Sequence, residues 1–281
     1  MSHSVRITVL VENTAGGRGL LGEHGLALWV EAGSKQAIFD TGQGMALEHN
    51  ARHLEIPLGS ANVIVLSHGH CDHTGGLTQA LNAALQARVF AHPGAFRKKY
   101  IRKDDGTAHS IGIPSLDENS IQEQTSEMVW ITQPKEICEG LFVTGEIPRT
   151  TDFEDTGGPF FLDEGCQKPD ALMDDQAMFF ESAAGTVVIL GCAHAGVINT
   201  LRYIQQLTDN RPIHAVIGGM HLINASLERI DRTIEDIRKV GVDYLAPNHC
   251  TGMIAMMKLW TAFPDRCHTC SVGTTMEFER L

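Results

Sequence analysis

The sequence predicts a mixed α/β fold of the α+β kind, in which sheets are covered by helices. Three observations carry that reading. Strand-like segments open the chain, strands and amphipathic helices alternate through its second half, and no linker, low-complexity tract or repeat divides it. Residues 1–281 therefore read as one domain, with an inserted lid-like excursion at about 96–127.

The elements follow in order. Branched and aromatic residues bounded by glycine or polar turns give strands at 5–13, 25–33 and 35–42, most simply an antiparallel meander. A helical pattern follows near 45–54, then an apolar strand at 62–67. A helix is expected over about 76–87, where Leu77, Leu81 and Leu85 recur at i, i+4 and i+8. The polar stretch 96–127 has no long periodicity, which makes it the excursion. Strands resume at 128–133, 141–147, 176–182 and 186–191. Helices near 196–207, 226–240 and 251–262 then alternate with strands at 214–219 and 244–247.

Charge and composition exclude some functions. A net charge of −12 repels nucleic acid phosphates and anionic lipid surfaces, so neither a nucleic acid nor a membrane partner is expected. No apolar run approaches the roughly 20 residues of a membrane span, and the first residues lack a basic segment followed by a long apolar one. Seven cysteines in so long a chain fit reduced thiols and a cytoplasmic location. A homo-oligomer is left open.

The chemistry sits at strand ends. In VIVLSHGHCDHTGGL (63–77), His68 and His70 are two apart and share a face of an extended chain, with Gly69 leaving room between them. Asp72 and His73 follow, placed to face a second position. An isolated histidine is usually a surface or hydrogen-bonded core residue; four donor residues within six, behind an apolar strand, point to metal. His194, His221 and His249 each follow another apolar strand, and AIFD ends in Asp40. Strands running the same way would bring these ends to one edge, where open α/β folds collect ligands.

SHGHCDHTGG resembles the H-x-H-x-D-H signature of the metallo-β-lactamase superfamily, and FDTG (39–42) is similar to another of its strand-end motifs. TGEIPR (144–149), DDQAM (174–178), GCAHAGVIN (191–199), GGMHL (218–222) and PNHCTG (247–252) resemble the branch that includes the dihydropterin-linked ribofuranosylaminobenzene 5′-phosphate synthases and related metal-dependent hydrolases. The resemblance implies a four-layer αββα sandwich. It implies that His68 and His70 hold one metal while Asp72, His73 and His249 hold the other, with His194 as a further ligand. Where the superfamily carries a bridging aspartate after a glycine, this chain reads Gly191-Cys192. Cys192, Asp174 and Asp175 are therefore candidates for that place, and Asp40 is expected to orient a liganding imidazole.

Two Zn2+ ions are the expected cofactor, with Mn2+, Fe2+ and Mg2+ as alternatives. Asp72 and His221 are the candidate catalytic groups. The helix after Gly75-Gly76 would add N–H donors toward an anion. Arg97 and Lys98, in a basic cluster with Lys99, Arg102 and Lys103, could clamp phosphate; so could Arg149, although a solvated face is the commoner fate of such a run. The leading expectation is a metal-dependent hydrolase of a small ester or phosphoester. The alternatives are a transferase joining an aminobenzoate to phosphoribosyl diphosphate, and a non-catalytic metal-bearing sensor. The CHTC run (267–270) lacks a second ligand pair and reads as structural, and the methionine-rich helix 253–260 reads as core.

Overall fold

The computed structural model describes residues 4–114 and 124–281. The opening meander comprises β1 (Ser4–Val11), β2 (Ala27–Ala32) and β3 (Lys35–Phe39), paired antiparallel. The short helix α1 (Leu47–His53) leads to β4 (Val63–Val65); helices α2 (Cys71–Thr74) and α3 (Leu77–Ala83) lead to β5 (Arg88–Ala91). β6 (Tyr100–Arg102) and β7 (Ala108–Ser110) precede β8 (Glu127–Trp130). β4, β5 and β8 extend the sheet in parallel from β3, because each crossover, helical before β4 and β5 and carrying β6 and β7 before β8, returns the chain to the same end.

The second half supplies β9 (Lys135–Cys138), β10 (Leu141–Val143), β11 (Phe160–Phe161), β12 (Met178–Ser182) and β13 (Gly185–Leu190). Then come α4 (Val197–Leu207), β14 (Ile213–Gly219), α5 (Leu227–Val240), β15 (Tyr244–Asn248), α6 (Met253–Ala262) and β16 (Thr275–Glu279). One sheet has seven strands in the order β16-β1-β2-β3-β4-β5-β8. The other has six in the order β15-β14-β13-β12-β10-β9, with β13, β14 and β15 parallel.

The sheets pack face to face. Val5, Val30, Phe39 and Val65 meet Phe180, Val187, Ile189 and Ile217 in a dry layer between them. In β13, Val187 and Ile189 face that layer, while Val188 and Leu190 face α4 and α5 on the outside. A parallel strand covered on both faces reads as a near-continuous apolar run, and from Val187 to Leu190 this one does. Residues of α1 and α3 cover the outer face of the first sheet. The result is helix, sheet, sheet, helix. Local sequence agrees with the layering in α5, where the Ser226 hydroxyl caps the Arg229 N–H at 3.1 Å and Gly241 ends the helix at φ 82.

Three expectations change. The helix predicted over 76–87 stops at Ala83, and Leu85 is 65% exposed, so its i+8 spacing is not a buried stripe. In the excursion, β6 pairs with β7 and with β11 in a three-stranded sheet, so a period-2 structure exists where none was expected; residues 115–123 of that segment lie outside the described residues. The methionine-rich helix α6 buries Ala255 and Leu259 but leaves Met253 76% and Met257 64% exposed: it is a surface helix, not core. Cys267 and Cys270 of the CHTC run point into different layers, Cys267 beneath the outer helices and Cys270 between the sheets. No helix among the described residues is long and apolar enough to cross a membrane.

Candidate metal centre

Two groups of parallel strands end at one rim. β3 and β4 deliver Asp40 and the segment Ser67–His73; β13, β14 and β15 deliver Cys192 to His194, His221 and His249. Asp40, Ala193, His221 and His249 hold positive φ angles of 59°, 56°, 43° and 48°. A side chain in that region costs about 1–3 kcal/mol, and such strain gathers where function fixes the backbone. Here it turns each chain sharply off its strand, so that the side chains aim along the rim instead of continuing the pleat.

The imidazole nitrogens converge. His68 Nε2 lies 3.0 Å from His70 Nδ1, and His73 Nε2 lies 3.1 Å from both His249 Nε2 and Cys192 Sγ. Asp72 Oδ2 stands 3.3 Å from His249 Nε2 and 3.7 Å from His73 Nε2. His68, Cys192 and His194 have ligand atoms within 4.8 Å of one another, as have His73, Cys192 and His249. Two nitrogens about 2.0–2.1 Å from one tetrahedral ion stand about 3.3 Å apart. The observed spacings fit that arrangement, and Cys192 Sγ is common to both groups.

The far nitrogens of His68, His73, His194 and His249 are already engaged, which fixes those rings. His73 Nδ1 lies 2.7 Å from Asp40 Oδ2, which also accepts the Ser67 hydroxyl at 2.6 Å; that hydroxyl is 2.9 Å from His68 Nδ1. His249 Nδ1 is 2.9 Å from Asn13 Oδ1, and His194 Nδ1 is 2.8 Å from the Thr156 carbonyl. Such outer partners set the tautomer and aim the remaining nitrogen. His194 Nε2 is accordingly left buried without a hydrogen-bond partner, and so is His70 Nε2. An unpaired buried polar atom costs about 1–3 kcal/mol, so the cluster suits a ligand it can bind.

Electrostatics splits the rim. Burial holds His68 and His194 well below the ordinary 6.5 and pushes His70 down to about 3, so these rings are neutral and able to donate lone pairs. Burial also works against charge on His73, yet the carboxylates of Asp72 and Asp40 raise it to about 9. Against the same burial, His73, His24 and His249 hold the Asp72 carboxyl well below its ordinary range. The pair of carboxylates that draws a proton to His73 would draw a cation as well. Burial pushes the Cys192 thiol upward, so its conversion to thiolate calls for a strong local charge.

The other candidates are placed as follows. Asp40 stands behind His68 and His73. Asp174 accepts the Gly69 N–H at 2.9 Å and the Lys99 ammonium at 2.8 Å. Asp175 accepts the Ala195 N–H at 2.8 Å, and burial raises it to about 7. Arg97 and Lys98 are exposed, whereas their neighbour Lys99 is buried between Asp170 and Asp174. Arg149 is committed to the carbonyls of His194, Ala171 and Leu172. The N–H groups of Gly75 and Gly76 donate to the carbonyls of Cys71 and Gly42, so those two are not turned toward an anion. Sequence reasoning missed Ser67, Asn13, buried Lys99, and His24 at 3.4 Å from Asp72. The first is adjacent to the motif; the other three carry no local signal.

The family model described as the metallo-beta-lactamase superfamily matches residues 21–249. The chain belongs to that superfamily. It is similar to the crystal structure of Tm1679, a metal-dependent hydrolase of the beta-lactamase superfamily, with TM-score 0.83 and 29% identity over 98% of this chain and 99% of that one. It is 29% identical, over 98% of its length and 97% of the relative's, to the 7,8-dihydropterin-6-methyl-4-(beta-D-ribofuranosyl)-aminobenzene-5′-phosphate synthase of Methanocaldococcus jannaschii. An uncharacterised protein of the same organism is 32% identical over 90% of this chain and 93% of its own length. Membership accounts for the αββα layering as the superfamily fold and makes this an enzyme superfamily member with metal-ligand candidates at its rim.

Proposed function

We propose that the chain is a metal-dependent hydrolase of a small ester or phosphoester. The observation that carries the reading is the convergence of the buried, neutral imidazoles of His68 and His194, whose Nδ1 atoms are already hydrogen-bonded, on the same rim as His70, His73 and His249. His68, His70 and His194 would hold one divalent cation, of the Zn2+, Mn2+ or Fe2+ class, and Asp72, His73 and His249 a second, with Cys192 between them. Bound there, two such ions supply an acidified water, with pKa toward ~7, and Lewis-acid polarisation of a carbonyl or phosphoryl oxygen.

The chain's own groups do the rest. Asp40 holds His68, through Ser67, and His73 in fixed tautomers. Asp72, low enough to remain ionised, is placed to accept a proton beside His249. His221, with its ring centroid 4.1 Å from that of His194, borders the same edge and is positioned to meet substrate. The burial of His68, His73 and His194 keeps bulk water from solvating the donors. A small-molecule substrate in a cytoplasmic setting fits the seven free thiols and the acidic surface.

The test is turnover of a panel of aryl esters, lactones and phosphodiesters by protein loaded with Zn2+ or Mn2+. Activity abolished by chelation, restored by the ion and lost in His70→Ala is the expected result; a fully metallated protein inert toward the whole panel would overturn it. The relation to the M. jannaschii synthase favours one other reading, a transferase joining an aminobenzoate to phosphoribosyl diphosphate with release of carbon dioxide and diphosphate. Incubation with p-aminobenzoate and phosphoribosyl diphosphate discriminates: a ribosylated product supports the transferase, and no product together with phosphodiester turnover removes it.

A further inference from the structure

Cys192 Sγ, a ring nitrogen of His221 and Cys250 Sγ lie within 4.8 Å of one another, just inside the rim. Cys250 and His221 are outside the six-residue ligand set already described. The three residues follow β13, β14 and β15, so the parallel register of these strands brings them together. Both thiols are free and buried.

Two close approaches shape the space around them. Gly219 ends β14, and a Cβ there would stand 2.5 Å from Cys250 Sγ, so a side chain at 219 would expel the thiol. Gly157, at φ +85°, lies against the Cδ2–Nε2 edge of His221, where a Cβ would come within 1.9 Å. That contact leaves Nδ1 on the opposite side of the ring, buried and without a hydrogen-bond partner. His221 is itself held at φ 43°. The Cys250 thiol donates to the Cys192 carbonyl at 3.7 Å, but the strained His221 backbone and its orphaned Nδ1 beside two thiols are unfavourable unless a ligand engages them.

We propose that Cys192, His221 and Cys250 form a third, sulfur-rich seat for a thiophilic divalent cation, adjoining the two-ion rim and sharing the Cys192 sulfur with it. Two thiolates and an imidazole suit Zn2+ or Co2+ and do not suit Mg2+ or Ca2+, which require oxygen donors. The seat leaves a fourth position open, as zinc sites with three protein ligands do. An ion there would fix the His221 ring beside His194 and add positive charge at the back of the rim. The inference rests on the two-ion reading only through the shared sulfur of Cys192; Cys250 belongs to the new seat alone, while His221 also borders the rim beside His194.

The experiment uses the full-length protein, stripped of metal and reloaded with Co2+, and reads ions per chain by elemental analysis and thiolate-to-cobalt charge-transfer absorption. Wild type is expected to hold one ion more than Cys250→Ser and to show a stronger charge-transfer band. His221→Asn is expected to lose the same ion, so the result does not depend on one variant folding. His68→Ala/His73→Ala is expected to lose rim ions while keeping one ion and a thiolate band. Unchanged ion content and unchanged absorption in both Cys250→Ser and His221→Asn would overturn the seat. Failure of the rim reading would instead appear as an unaltered ion count in His68→Ala/His73→Ala.

Discussion

His68, His70, Asp72 and His73 come from six consecutive residues after one strand, whereas Cys192, His194, His221 and His249 come from the ends of three strands. In the first group, local backbone geometry sets the ligand spacing: an extended step places His68 and His70 together, and α2 turns Asp72 and His73 toward the next position. In the second group nothing local sets it. Those donors meet because β13, β14 and β15 run parallel in register, with Leu190 opposite Gly218 and Gly219 opposite Asn248. A contiguous segment tolerates a shift of the strand behind it as a unit; a dispersed group loses its geometry when any one strand slides.

That contrast can be broken at several points. The largest effect is expected from His73→Ala, which removes a nitrogen facing both His249 and Cys192 and leaves Asp40 and Asp72 facing each other without the ring between them. Activity should fall by more than the ~10–100-fold typical of outer partners, and elemental analysis should show less bound metal. His249→Ala should match it if the dispersed half is of equal weight, and a much smaller loss would show that the contiguous half suffices.

Lys99→Met addresses what steadies the contiguous half. It would strand Asp170 and Asp174 as buried carboxylates, and Asp174 holds the Gly69 N–H inside the motif. Removing one partner of a buried pair costs about 3–5 kcal/mol, measurable by denaturant unfolding. A loss below about 1 kcal/mol would mean that the network is hydrated, not structural.

Asp40→Asn is a finer change. Asparagine keeps one oxygen but presents an amide NH2 toward the Ser67 hydroxyl or His73 Nδ1, favouring the wrong imidazole tautomer. Metal affinity should drop by about 10–100-fold with little change in fold, as read by metal titration and circular dichroism.

The smallest expected effect is that of pH on the metal-free protein. His70, ordinarily 6.5 and about 3 when folded, binds its proton more readily in the unfolded chain, so its burial lowers stability as pH falls from 6.5 toward 3. His73, raised to about 9, contributes stability that is full below 6.5 and fades as pH rises through 9. The thermal midpoint should therefore decline on both sides, and His70→Gln should make the acid limb shallower without changing the alkaline one, because His68 and His194 supply the rest of it.

The sequence by itself determined the elements and half of the rim. The alternating strands and helices required a layered α/β fold, because each apolar face had to be covered, and the six-residue run at 68–73 carried its own ligand geometry. The resemblance of separate blocks to one superfamily then supplied the αββα order. Periodicity misled at α3 and α6: Leu85 kept helical spacing beyond the end of its helix, and methionines of α6 face solvent although their type suggests core.

Tertiary structure alone decided the partners. Lys99 is one of five basic residues within 97–103 with nothing to mark it as the buried one, and only the approach of Asp170 and Asp174 selects it. Asn13 and His24 reach His249 and Asp72 from another part of the chain, and Cys250 meets Cys192 only because β14 lies between their strands. The reason is physical: a strand fixes the direction of its own side chains at a period of two, but which other strand ends stand within 4 Å depends on packing that no short stretch of sequence encodes.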